Sequence, residues 1–146
     1  MIEVVIKTEL NPTEEPEKIL AVINNFTTVK EDDIKIEKIS QDYYIYSVTV
    51  YGLSTIQSMF DGLRSQRIVE SARKFLMRKK KEDGVSFMLN KQALLMRKFH
   101  FCDFPDESPM GPVWIHIKSD NITRLLEYLV PHTIKGQPQE VDYLPE

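Results

Sequence analysis

Two strand-like runs separated by only three residues constrain this chain more than any other feature. Ile34 to Ile39 and Tyr43 to Tyr51 flank Ser40-Gln41-Asp42. A connection that short joins antiparallel neighbours, because a parallel pair needs a crossover of about a dozen residues or more. The second run is dense in aromatic and β-branched side chains, which suit a pleated, half-buried surface. Tyr44, Tyr46, Val48 and Val50 fall on one face, and Tyr43, Ile45, Ser47 and Thr49 on the other. A hairpin here argues against a doubly wound parallel sheet.

The flanking segments extend this pattern. Ile2 to Glu9 alternates as a strand, with Ile2, Val4 and Ile6 on one face. Asn11-Pro12 breaks it. Thr13 is a candidate N-cap for a helix to about Asn25, with acidic residues in its first turn and Ile19, Leu20, Ile23 and Phe26 at helical spacing. After Gly52 ends the third strand, Ser54 to Phe60 reads as a short helix closed by Gly62. A long basic helix, Leu63 to Lys81, follows, stopped by Glu82-Asp83-Gly84. Val85 to Leu89 is extended. Asn90 caps a helix, Lys91 to Arg97, and Lys98 to Asp103 returns as a strand. Phe104 to Pro112 holds three prolines and a glycine, the composition of a loop. Val113 to Lys118 is a strand, and Asp120 or Asn121 caps a last helix, Ile122 to Val130. The expected order is β-α-β-β-α-α-β-α-β-β-α. It describes an α+β two-layer sandwich: a mostly antiparallel sheet with helices packed on one face. One domain spans residues 1–130, and residues 131–146 form a C-terminal tail, loose or docked.

Charge is segregated within this framework. Leu63 to Lys81 carries eight basic residues and one acid, a net of +7 in a protein of net charge −3. On a helical period Ile68, Val69, Ala72, Phe75 and Leu76 make a buried stripe. Arg64, Arg67, Ser71, Lys74, Arg78 and Lys81 make a second stripe, spaced alternately three and four. At about 1.5 Å per residue it runs roughly 25 Å, enough to follow several phosphates. Half of the eight basic residues are arginines, including Arg73, whose guanidinium forks to phosphate. Lys91 and Gln92, at a helix N-terminus, and Arg97 and Lys98 add donors nearby. The other reading of the stripe is a solvated helix face. Tyr43, Tyr44, Tyr46 and Tyr51 stack bases if exposed and pack the sheet if not.

Other chemistry finds little support. Cys102 is the single cysteine, so no internal disulfide forms. With only His100, His116 and His132 beside it, and neither CxxC nor HExxH, no metal is expected. No glycine-rich phosphate motif occurs, so no cofactor is expected. The chain has no apolar run of bilayer length, and its first ten residues lack the pattern of a secretory leader. A cytoplasmic location without membrane association is expected.

Three segments carry a resemblance. They are Leu63-Arg64-Ser65-Gln66-Arg67-Ile68 with Ala72-Arg73, then Phe87-Met88-Leu89-Asn90-Lys91-Gln92-Ala93, then Glu107-Ser108-Pro109-Met110-Gly111-Pro112. In this order they resemble a small archaeal family described as predicted RNA-binding, over roughly residues 1–119. Leu94-Leu95-Met96 stands where the family has a small residue and a glycine. The resemblance implies a fold similar to the large-subunit ribosomal protein that binds the small ribosomal RNA of the central protuberance. It implies no catalytic residues.

The function expected is a non-enzymatic RNA-binding domain contacting the backbone of structured or double-stranded RNA. Its candidate contacts are Arg64, Arg67, Arg73, Lys74, Arg78, Lys81, Lys91, Gln92 and Arg97. The alternative is a protein-interaction module, such as a homodimer, in which the basic helix meets an acidic surface. An enzyme acting on an anionic substrate would need a pocket of convergent polar groups beside that helix.

Overall fold

The computed structural model describes residues 1–146. Its strands are β1 (Glu3–Leu10), β2 (Lys35–Ser40), β3 (Tyr43–Tyr51), β4 (Gly84–Leu89), β5 (Phe101–Cys102) and β6 (Val113–Lys118). They form one sheet in the order β2-β3-β1-β6-β4-β5, with every pair antiparallel. The helices are α1 (Pro16–Phe26), α2 (Gln57–Ser65), α3 (Val69–Lys79), α4 (Lys91–Leu95) and α5 (Ile122–Leu129). Two-residue strands β7 (Thr133–Ile134) and β8 (Gln137–Pro138) pair in the C-terminal segment. The α+β order and the antiparallel sheet are those expected.

Strand alternation sets the core. Val4 lies between Val50 and Ile117, and Ile6 between Val48 and Ile115. All six are buried or half-buried, on the face the helices cover. Thr8 continues the row fully buried, and its hydroxyl donates to the Pro112 carbonyl at 3.3 Å, so it leaves no unpaired polar group there. Ile19, Val22, Ile23 and Phe26 of α1, Ala72, Phe75 and Leu76 of α3, and Leu125, Leu126 and Leu129 of α5 close the core. β2 is an exposed edge strand. Its charges and a register shift between Lys38 and Ser40 discourage further pairing.

Several boundaries differ from expectation for physical reasons. Helix α1 starts at Pro16, not Thr13. Proline bars the residue before it from helical geometry, and Glu15 is extended at φ −91° and ψ 139°. The expected strand Lys98 to Asp103 shrinks to Phe101–Cys102. The helix expected at Ser54 is a single tight turn, Leu53–Ile56, running into α2. Gly62 sits inside α2 rather than closing a helix. The Phe99 ring packs on it so closely that a Cβ there would lie 2.7 Å from Cδ2.

The main correction concerns Leu63 to Lys81, which is not one helix. Arg67 adopts left-handed geometry at φ 58° and splits the stretch into α2 and α3. Its N–H donates to Arg64 O at 3.0 Å, and that of Ile68 donates to Leu63 O at 3.0 Å. This pair of bonds is a Schellman turn. Gln66 locks it from outside: its side chain donates to Phe99 O at 3.0 Å and accepts from Phe99 N at 2.7 Å.

The C-terminal segment is docked. Arg64 pairs with Glu140, and the Arg124 guanidinium lies 3.6 Å from the Tyr143 ring centroid. The amide of Ile2 donates to Glu146 Oε1 at 3.2 Å.

Candidate nucleic-acid interface

The basic residues divide by what surrounds them. Arg64 is held inside the fold. Its guanidinium stacks 3.4 Å from the Phe60 ring centroid and donates to the carbonyls of Phe60 and Leu129 at 3.1 and 3.0 Å. It also forks to Glu140 at 2.7 and 2.9 Å. Arg73 donates to Val130 O at 2.9 Å and to both oxygens of Glu127 at 3.0 and 3.2 Å. The carbonyls of Leu129 and Val130 end α5, where unpaired acceptors and the helix dipole both favour a cation. Hydrogen bonds from Arg73 and Arg64 hold the Glu127 and Glu140 carboxyls below the ordinary carboxylate range. These two arginines therefore cap a helix rather than face solvent.

Lys91 is also internal. Its side chain is fully buried, and its ammonium donates to Met110 O at 2.6 Å, Glu9 O at 2.7 Å and Glu14 Oε1 at 3.1 Å. Two donors at the start of α4 are already paired: Lys91 N with Ser108 Oγ, and Ala93 N with Asn90 Oδ1. Asn90 caps this helix as expected, but the anion site expected of Lys91 and Gln92 is occupied by the protein's own oxygens. Gln92 itself is exposed.

Of the candidate contacts, the exposed cations are Arg67, Lys74, Arg78, Lys81 and Arg97. Ser71, Lys74 and Arg78 make the outer ridge of α3. Eleven residues give about 16 Å of helix, shorter than the roughly 25 Å expected of an unbroken one. Arg67 precedes the ridge and Lys81 follows it. Arg78 is 64% exposed and approaches Asp103 only at 3.8 Å, an ion pair of little energetic weight. Arg97 mirrors Arg67. It ends α4 at φ 61° in a second Schellman turn, with its N–H donating to Leu94 O and that of Lys98 to Ala93 O. Glycine usually takes this position because a side chain there strains the backbone. Arg67→Gly and Arg97→Gly are each expected to stabilise the fold by about 1 kcal/mol. Urea unfolding tests this; a lowered midpoint for either variant would contradict it.

The tyrosines split between the two faces. Tyr46 is buried and Tyr44 half-buried under the helices, where the alternation of β3 directs them. On the helix-free face, the Tyr43 hydroxyl donates to Glu9 and its pKa is pushed up to about 12 by that bond. Trp114 stands in the same face opposite Lys7 and Met88. Ser86 and His116 are cross-strand partners there, with Oγ 2.6 Å from Nδ1. No carboxylate hydrogen-bonds this histidine. Cys102 is buried, and burial raises its thiol pKa, the reverse of what activates a nucleophile.

Residues 3–120 match the family described as RNA binding. A UPF0201 protein of Metallosphaera sedula is 30% identical over 146 residues, spanning 100% of this chain and 99% of its own length. The chain belongs to the UPF0201 family. A crystal structure of the UPF0201 protein from Methanococcus jannaschii superposes with a TM-score of 0.79 at 24% identity, covering 93% of this chain and 98% of that one. A second UPF0201 crystal structure gives 0.70 at 30% identity with the same coverage.

Two segments that carry the family resemblance meet in space in this UPF0201 chain. Asn90-Lys91 inserts under the Ser108-Pro109-Met110-Gly111 turn. The Ser108 hydroxyl accepts from Lys91 N and donates to Gly111 O. Gly111 is left-handed at φ 87°, and a Cβ there would lie 2.7 Å from a Glu9 oxygen. The turn leads into the start of β6. Asp61, which lines a polar groove beside α2 together with Lys98, was not singled out in sequence, and Lys98 was noted only as a donor. Neither carries a motif; their grouping comes from the α2 and α4 turns.

Proposed function

We propose that this UPF0201 chain binds structured RNA through phosphate contacts from Arg67, Lys74, Arg78 and Lys81, with Arg97 beside them. The supporting observation is that these five remain exposed while Arg64, Arg73 and Lys91 are consumed internally. The family match supports RNA as the partner. Backbone contacts of this kind fix position on a duplex without reading sequence. The small ribosomal RNA of the large subunit is the first ligand to test, given the resemblance noted in the sequence.

Binding by four phosphate contacts predicts a slope of about −3 to −4 in log K against log salt, and about a hundredfold loss between 50 and 200 mM. Filter binding or fluorescence anisotropy at a series of salt concentrations measures it. An affinity indifferent to salt, or no binding at low salt, sinks the proposal.

A further inference from the structure

The polar groove beside α2 opens on the helical layer, between α1, α2 and the turn after α4, with a volume of about 480 Å³. Its lining is polar apart from Phe99. Gly62 and the Phe99 ring pack together at this site, and that packing requires a residue without a side chain. Ser58, Asp61 and Ser65 lie on one side at spacings of three and four, so α2 presents them on one face. Arg97 and Lys98 lie on the other. The Asp61 carboxylate accepts one bond, from Gln57 at 3.1 Å, and retains acceptor capacity. The side chains of Ser58, Ser65, Arg97 and Lys98 bond to nothing within the chain. Arg97 also keeps a left-handed backbone that glycine would hold without strain.

Cations at one side and a carboxylate with two hydroxyls at the other match the two ends of a nucleotide. Arg97 and Lys98 suit a phosphate. An acceptor-only carboxylate suits a base edge that offers adjacent N–H donors, as guanine does with its ring N–H and exocyclic amine; uracil offers one. The size falls within the usual range of about 300–1,000 Å³ for small-ligand sites. Single-stranded or bulged RNA is read in this way, through the splayed base. We propose that the groove holds one unpaired guanosine nucleotide of the bound RNA, its phosphate on Arg97 and Lys98 and its base edge on Asp61. This rests on the RNA-binding reading above.

The test titrates the full chain with 5′-GMP, 5′-UMP and inorganic phosphate, following the amides of Ser58, Asp61, Ser65, Arg97 and Lys98 by NMR. It then compares hairpin RNAs bearing a single bulged G or U. GMP is expected to shift these amides at least about fivefold more tightly than UMP, and the G bulge to bind about tenfold more tightly than the U bulge. Asp61→Asn should erase both preferences without unfolding the chain. Arg97→Gly should weaken both nucleotides alike, in a fold made no less stable. Silent amides, or inorganic phosphate matching GMP, overturn the nucleotide site while hairpin binding leaves the RNA reading standing. GMP binding without a bulge preference overturns its assignment to RNA and points to a free nucleotide. Wild-type chain that binds neither hairpin defeats the RNA reading and this assignment with it.

Discussion

Replacing Lys91 with methionine is expected to lower the unfolding free energy by about 3–5 kcal/mol, the usual cost of removing one partner from a buried charge pair. Methionine keeps the length and removes the charge. It removes the ammonium donor from the carbonyls of Glu9 and Met110, the latter keeping Asn11 Nδ2 at 2.8 Å, and leaves Glu14, whose side chain is 3% exposed, without its nearest buried cation. Asn11 and Lys18 remain bonded to Glu14, so the carboxylate is weakened rather than stranded. Against a typical total of about 5–15 kcal/mol, the loss is large enough to approach unfolding. Urea denaturation at neutral pH measures it, and a loss under about 1 kcal/mol would mean the cluster relaxes around the vacancy. Acid tests the same cluster from the other side. Burial pushes the Glu14 carboxyl up, but bonds from Asn11, Lys18 and Lys91 outweigh this and hold it below its ordinary 4.5. A depressed carboxyl stabilises the fold above the unfolded value, and that stability is lost as pH falls through the folded value. The wild-type midpoint is therefore expected to decline below about pH 4.5.

Features governed by local chemistry were legible in the sequence. Alternation located β1, β3 and β6, the Asn90 cap was recognisable because an Asn side chain bonds the amide three residues on, and the last cap was narrowed to Asp120 or Asn121, of which Asn121 makes the bond. The α2–α3 break was not legible, because the contact that braces it lies 33 residues away, in the two hydrogen bonds between the Gln66 side chain and the Phe99 backbone. Glycine rules then misled. Gly62 marks a close packing contact, whereas the left-handed turn falls on Arg67. The charged residues show the same division. Arg64, Arg73 and Arg78 are equivalent as members of a basic run. Only the fold brings the end of α5 against the first two and leaves the third outside. Lys91 reads as a surface cation until Glu14 and the proline-rich turn close around it. A basic stretch thus overstates its free charge wherever a neighbouring helix ends on it.

Charge reversal on the α3 ridge separates the binding reading from mere solvation. Lys74→Glu with Arg78→Glu is expected to weaken structured-RNA binding by at least about a hundredfold, since each charge-assisted bond contributes about 1.5–3 kcal/mol. The slope of log K against log salt should flatten by about 2. Neither side chain anchors the core. Lys74 is exposed without a partner, and Arg78 has the distant Asp103 and a loose approach to the Phe75 ring, 5.3 Å from its centroid. The destabilisation should stay near about 1 kcal/mol, mostly from placing Glu in the last turn of α3 against the helix dipole. Overall charge must be matched, because a protein of net −3 made more acidic repels RNA from every side. Lys35→Glu with Lys118→Glu supplies that control: both residues are exposed on the sheet, and the change in net charge is identical. The ridge is the binding surface if the first variant loses affinity and slope while the control changes neither by more than about threefold. Equal losses in the two variants would reduce the effect to net charge, and α3 would then be a solvated helix whose cations serve the fold alone.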